Sequence, residues 1–234
     1  MRFKIRLVAI DFDGVIVDSY YCLPEVYKYI GKKLGLKGEV LKRFVREAIR
    51  REDIEDARVN YDHAAWWPEL MEEFGIRIGE DQLMRLNLEF WELRSKMSKI
   101  IEGAEEFLKG VKERGIKIVV LAGNDGVRGL KRKRVELSKL SRYFDDIIIV
   151  GDDVENRVEA INFIVKKYGV KYQEIILIDD KPGPINEVNK AKMGVITAKV
   201  SFQGILKKAW EEPCSPTLTV NRVLDLAQKI LAST

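Results

Sequence analysis

From residue 103 onward the chain alternates short apolar runs with stretches of helical period, and this alternation restricts its fold more than any other feature. Ala104, Phe107, Leu108 and Val111 line one face of a helix that Gly115 closes. Residues 116–122 then form an apolar run of strand length that ends in Gly123-Asn124-Asp125. A helix is expected over 128–140, a strand over 147–150, a helix over 158–168, a strand over 175–178, a helix over 185–192 and a strand over 195–200. Runs of this length, apolar at nearly every position, suit strands buried on both faces. Alternating with helices, they predict an α/β fold with a doubly wound parallel sheet. Residues 7–10 add one such strand near the amino terminus. Residues 217–220 read as a last edge strand, followed by a closing helix that Asn221 caps and that carries Val223, Leu224, Leu226 and Ile230.

Between the first strand and residue 99 no strand pattern occurs. Val26, Tyr29, Ile30 and Leu34 recur at helical spacing after Pro24, and Val40, Leu41, Phe44, Val45 and Ala48 mark a second helix. The charged stretch 50–56 reads as the solvated end of that helix. Residues 65–74 and 81–97 give a third and a fourth. The expected organisation is therefore an α/β core of residues 1–18 and 99–234, with a helical domain, residues 19–98, inserted after the first strand. Tyr61, His63, Trp66 and Trp67 form an aromatic cluster in the inserted part, expected as its core.

Composition narrows the function classes. A formal net charge of +4 over 234 residues is too small to argue for a nucleic-acid partner. Lys131-Arg132-Lys133-Arg134, the densest basic run, reads as a solvated helix face. No apolar run reaches the roughly 18–20 residues of a membrane span, and residues 1–4 lead directly into a strand rather than a signal peptide. Cys22 and Cys214 show no metal-binding spacing and are expected as free thiols in a reducing cytoplasm.

Two strands end in carboxylates. The first runs into Asp11-Phe12-Asp13-Gly14 and the other into Asp179-Asp180-Lys181-Pro182. The carboxyl ends of parallel strands share one rim, where open α/β sheets bind ligands. Asp11 and Asp13 serve one site only if the chain leaves its extended path between them, which Gly14 permits. Carboxylate and carbonyl oxygens suit a hard divalent cation such as Mg²⁺.

Asp11-Phe12-Asp13-Gly14-Val15 followed by Asp18-Ser19 resembles the first motif of the haloacid dehalogenase (HAD) superfamily, in its phosphatase branch. The helical insertion and the Asp179-Asp180 pair extend the resemblance over most of the chain. It implies a Rossmann-like core with a helical cap domain, and a Mg²⁺-dependent phosphatase acting on a small phosphorylated metabolite, similar to phosphoglycolate phosphatase. Carried over by position, Asp11 would be the nucleophile and Asp13 the general acid and base. Asp11, the backbone carbonyl of Asp13 and Asp180 would hold Mg²⁺, with Asp179 an alternative or additional ligand. Asp13 favours phosphoryl chemistry, because the family's dehalogenases lack this second aspartate. In similar enzymes, cap side chains such as those of the aromatic cluster cover the leaving group.

Two features depart from the family pattern. The second motif normally carries Ser or Thr where this chain has Ala122 or Gly123, leaving Asn124 or backbone N–H groups around Gly123 as phosphate donors. The third motif normally offers a Lys-Pro pair, and here Arg157 and Lys181 are the candidate cations. A sugar phosphomutase on the same fold and a non-catalytic phosphate- or metabolite-binding protein are the alternative readings.

Overall fold

The structure, a computed structural model, describes residues 4–202 and 204–230. Residues 1–3, expected to lead into the first strand, lie outside the described residues. The strands are β1 (Leu7–Ile10), the two-residue β2 (Val17–Asp18) and β3 (Lys99–Ile100), β4 (Lys117–Gly123), β5 (Asp146–Val150), β6 (Ile175–Asp179), β7 (Ile196–Val200) and β8 (Leu218–Val220). The helices are α1 (Leu23–Lys33), α2 (Gly38–Ala57), α3 (His63–Glu72), α4 (Glu80–Met97) and α5 (Ala104–Glu113). They continue with α6 (Leu130–Glu136), α7 (Arg157–Tyr168), α8 (Pro182–Lys190) and α9 (Asp225–Ile230). Two compact units emerge: one of residues 1–18, 100–203 and 210–234, the other of Ser19–Lys99 with Gly204–Ala209.

The first unit holds a six-stranded sheet in the order β5-β4-β1-β6-β7-β8, parallel throughout. β1 is central because all four of its residues are apolar and none touches water. Its side chains alternate between the two faces. Val8 and Ile10 join Ile118, Val120, Ile176 and Ile178 in the layer covered by Phe107, Leu108 and Val111 of α5 and Leu226 of α9. Leu7 and Ala9 join Val119, Leu121, Ile175 and Leu177 on the other face, covered by Ala160, Ile161 and Ile164 of α7 and Val188 of α8. Helices on both faces make the sheet doubly wound, as the alternation of the sequence predicts. The final helix differs from expectation at its start. It begins at Asp225 rather than just after Asn221, and the Asp225 carboxylate accepts the Arg222 N–H at 3.1 Å.

The second unit is helical, and its interior is not wholly apolar. α3 buries Trp66, Trp67, Leu70 and Met71, and α4 buries Leu86, Phe90 and Trp91. Among them lies a polar chain. Glu52 of α2 accepts hydrogen bonds from Tyr27 Oη and, at 3.2 Å, from Arg94 Nη1, and lies 3.0 Å from His63 Nε2. His63 Nδ1 is 3.1 Å from Asn87 Oδ1, and Arg94 Nε donates to the Ser19 carbonyl at 3.1 Å. The stretch 50–56, expected to be solvated, is thus amphipathic at helical period. Glu52 and Asp56, four residues apart, point inward and are buried. No helix among the described residues is long and apolar enough to cross a membrane.

Burial by itself would raise the Glu52 pKa, but the His63 ring, Arg94 and the Tyr27 hydroxyl outweigh it and hold the carboxyl at about 2. A depressed folded-state pKa contributes stability that is complete above the ordinary value of 4.5 and is lost as pH falls through about 2. Glu52→Gln, which leaves Arg94 without its buried counter-charge, is expected to cost about 3–5 kcal/mol at neutral pH. Thermal melts of wild type and variant should lie furthest apart above pH 5 and converge towards pH 2; a gap independent of pH would contradict this assignment.

Candidate active site

β1 and β6 are neighbours in the sheet, with Ile10 opposite Ile178, so the next residue on each strand is an aspartate. The Asp11 N–H donates to the Ile178 carbonyl at 2.9 Å, which brings Asp11 beside Asp179. Beyond Asp11 the backbone turns: Ile16 and Val17 N–H groups both return to the Phe12 carbonyl, and Gly14 N–H donates to Val17 O at 2.8 Å. Gly14 takes φ +82°, and a Cβ there would lie 2.1 Å from Asp180 Oδ2. Glycine is required twice over, for its backbone angle and for the closeness of Asp180. On the other side, Asp179 Oδ1 accepts the Lys181 N–H at 2.9 Å, shaping the turn into α8, where Pro182 occupies the first helical position.

Asp11, Asp179 and Asp180 each place a carboxylate oxygen within 4.8 Å of the others. Asp179 Oδ2 and Asp180 Oδ1 are buried without a hydrogen-bond partner. Burial and the neighbouring Asp179 charge push Asp11 up to about 7, against the opposing pull of Lys131. Burial likewise raises Asp179, against Arg157, and raises Asp180 well above the ordinary range, with Asp179 and Asp11 adding to the effect. Three crowded carboxylates, two of them with a buried oxygen that lacks a hydrogen bond, fit a hard divalent cation.

The Asp13 carboxylate goes elsewhere. It pairs with Lys131 Nζ and, at 2.8 Å, with Arg134 Nη2. Asp125 completes a ring of four charges, 2.9 Å from Lys131 Nζ and 2.8 Å from Arg134 Nη1. All four residues are buried. The basic run 131–134 is therefore not a solvated face: Lys131 and Arg134, three residues apart, share the inner side of α6, while Lys133 is exposed. Two acids around two cations offset the cost of burial, and both cations are held above their ordinary pKa values by Asp125 and Asp13 despite desolvation.

The other residues expected from the sequence are distributed unevenly. Arg157, at the start of α7, is 4.0 Å from Asp179 Oδ2 and 3.5 Å from Glu187 Oε2, so it stands beside the acidic cluster. Lys181 places its ammonium 4.9 Å above the Trp210 ring. Gly123 ends β4 opposite Val150. The side chain of Asn124 serves the neighbouring loop: its Nδ2 donates to Asp152 Oδ1 at 3.3 Å and its Oδ1 accepts the Gly126 N–H. Sequence reasoning missed Lys131, Arg134, Asp125 and Trp210. The spacing of Lys131 and Arg134, followed by the apolar Val135, carries a signal when read by helix face rather than as a block. Trp210 carries none, because it lies in a segment without period.

Known proteins resemble the chain over most of its length. A family model described as haloacid dehalogenase-like hydrolase matches residues 5–183. The phosphoserine phosphatase of Methanocaldococcus jannaschii is 26% identical over 207 residues, covering 83% of this chain and 86% of that protein. The putative phosphatase YhcW of Bacillus subtilis is 24% identical over 210 residues, 86% of this chain and 87% of the relative. Among solved structures, a putative β-phosphoglucomutase from Thermotoga maritima shares the fold with a TM-score of 0.69 at 19% identity, over 97% of this chain and 100% of that one.

The ring of charges makes a testable distinction within one helix. Arg134→Met leaves Asp13 and Asp125 with a single cation and is expected to cost about 3–5 kcal/mol. Lys133→Met, one residue away on the exposed side, should stay within about 0.5 kcal/mol of wild type. Denaturant titrations of the two variants would read the difference, and equal stabilities would contradict the buried pairing.

Proposed function

The chain belongs to the haloacid dehalogenase-like hydrolases, and from that premise we propose that it is a Mg²⁺-dependent phosphatase of small phosphomonoesters. The observation that carries this reading is the juxtaposition at one sheet rim: three clustered carboxylates, two of them with a buried oxygen that no hydrogen bond satisfies, and a second aspartate, Asp13, next to two buried cations. An acid two residues after the nucleophile is what phosphoryl transfer needs and halide departure does not.

Asp11, Asp179 and Asp180 would hold the cation through their carboxylates, together with the Asp13 backbone carbonyl. Bound there, Mg²⁺ would keep Asp11 ionised and neutralise phosphoryl oxygens. The Asp11 carboxylate attacks phosphorus, the ester P–O bond breaks, and Asp13 gives a proton to the departing alkoxide oxygen. Water then attacks the aspartyl phosphate, Asp13 takes its proton, and orthophosphate leaves with Asp11 restored. To take part, one Asp13 oxygen has to give up a cation, and Lys131, so released, is the donor for the phosphoryl oxygens. Lys131 thereby fills the place first sought at Arg157 or Lys181, and compensates for the hydroxyl missing at Ala122 and Gly123. Arg157 supports Asp179. Residues 19–98 are read as the cap domain and residues 1–18 with 99–234 as the core. Cys22 and Cys214 form no disulfide, which agrees with a cytoplasmic setting.

The test is orthophosphate release from a panel of small phosphomonoesters, phosphoserine and phosphoglycolate among them, with Mg²⁺ or with chelator. Release is expected only with the metal. Asp11→Asn should lower it by at least about a thousandfold, and Lys131→Met should reduce kcat/KM by about a hundred- to a thousandfold. Equal release by wild type and Asp11→Asn would overturn the assignment. A phosphoryl group returned to substrate instead of water would identify a mutase.

A further inference from the structure

Trp210 lies beyond residues 5–183, the part of the chain that the family model matches, yet it touches the acidic rim directly. Its indole N–H donates to Asp180 Oδ2 at 2.7 Å. The face of the same ring carries the Lys181 ammonium at 4.9 Å, and Phe202 packs beside it with ring centroids 5.5 Å apart. One side chain therefore holds two consecutive residues of the strand-end motif, one by its edge and the other by its face.

Asp180 is wholly buried, and its two oxygens are not equivalent. Oδ2 is taken by the indole and stands where a side chain at residue 14 would be, whereas Oδ1 has no hydrogen-bond partner. We propose that Trp210 is a positioning residue for the cation site: by fixing Asp180 Oδ2 it presets the carboxylate orientation and leaves Oδ1 as the metal-binding oxygen. This inference rests on the reading of Asp11, Asp179 and Asp180 as a cation site. Without the indole, Asp180 would be free to rotate away from two like charges, and the cation would have to restore its orientation. Outer partners of this kind commonly change metal affinity by about 10–100-fold.

The experiment is calorimetric titration of the full chain with Mg²⁺ alone, for wild type and Trp210→Phe. Phenylalanine keeps an aromatic face for Lys181 and Phe202 and removes the N–H donor to Asp180. The expected result is a Mg²⁺ Kd at least about tenfold weaker in the variant, beside the lower metal-free melting temperature that loss of a buried hydrogen bond brings. A Trp that merely filled space would lower the melting temperature and leave Kd unmoved, and that result would overturn the inference. If wild type itself did not bind Mg²⁺, the cation reading would fail, and this inference with it. Should Trp210→Phe fail to fold, the indole N–H resonance of Trp210 in ¹⁵N-labelled wild type gives the second measurement. A shift on Mg²⁺ addition is expected, and a resonance unmoved at saturation would overturn the proposal.

Discussion

The structure turns on mutual repulsion among desolvated carboxylates. Asp11, Asp179 and Asp180 are drawn together because β1 and β6 are apolar strands that pair in the middle of the sheet, and each ends in acid at the same height. Hydrophobic pairing thus brings together charges that would otherwise stay apart. What surrounds them can be read as a set of responses to that cost. Arg157 leans towards Asp179, the Trp210 indole takes one oxygen of Asp180, and the Asp179 turn accepts a backbone N–H. On the proposed reading, the charge left over is what a divalent cation would answer.

Asp13 meets the same difficulty by another route. Lys131 and Arg134 of α6 neutralise Asp13 inside the protein, and Asp125, from the loop after β4, balances the second positive charge. Two charge-balancing devices therefore stand on either side of one short segment, 11–13. One balances two acids with two cations; the other sets Arg157, 4.0 Å from Asp179, against three carboxylates. On the proposed reading this asymmetry has a use, since phosphoryl transfer needs a site for the cation and a separate acid that can be freed.

Much of this was legible in the sequence because it rests on period and on strand ends. The β/α alternation, the burial of residues 7–10 and the meeting of the two acidic strand ends on one rim follow from apolar runs, and the structure shows each; that β1 and β6 are direct neighbours is not written in those runs. The charged runs 50–56 and 131–134 were misread for one shared reason. Charge density suggests solvent, but a helix distributes neighbours around its axis, and residues three or four apart fall together. Glu52 with Asp56, and Lys131 with Arg134, turn inward while residues between them do not. Their partners, His63 and Arg94 in one case and Asp13 and Asp125 in the other, are supplied by distant parts of the chain, which no local window contains. Trp210 is the extreme case: its partner is fixed by the path of an irregular segment.

The register of β1 also bears on how the molecule comes into being. Leu7 pairs with Lys117 on one side and with Ile175 on the other, so both neighbours of the first strand are more than a hundred residues downstream. During synthesis from the amino terminus, an entirely apolar strand emerges long before anything can pair with it, while residues 19–99 are still being added. Contacts this remote in sequence are slow to close and expose sticky surface meanwhile. The acidic cluster cannot exist until Asp180 has been made and β6 has docked. The acidic rim is accordingly among the last features of this unit to form, and a chain truncated before β6 would have its proposed nucleophile with no cluster around it.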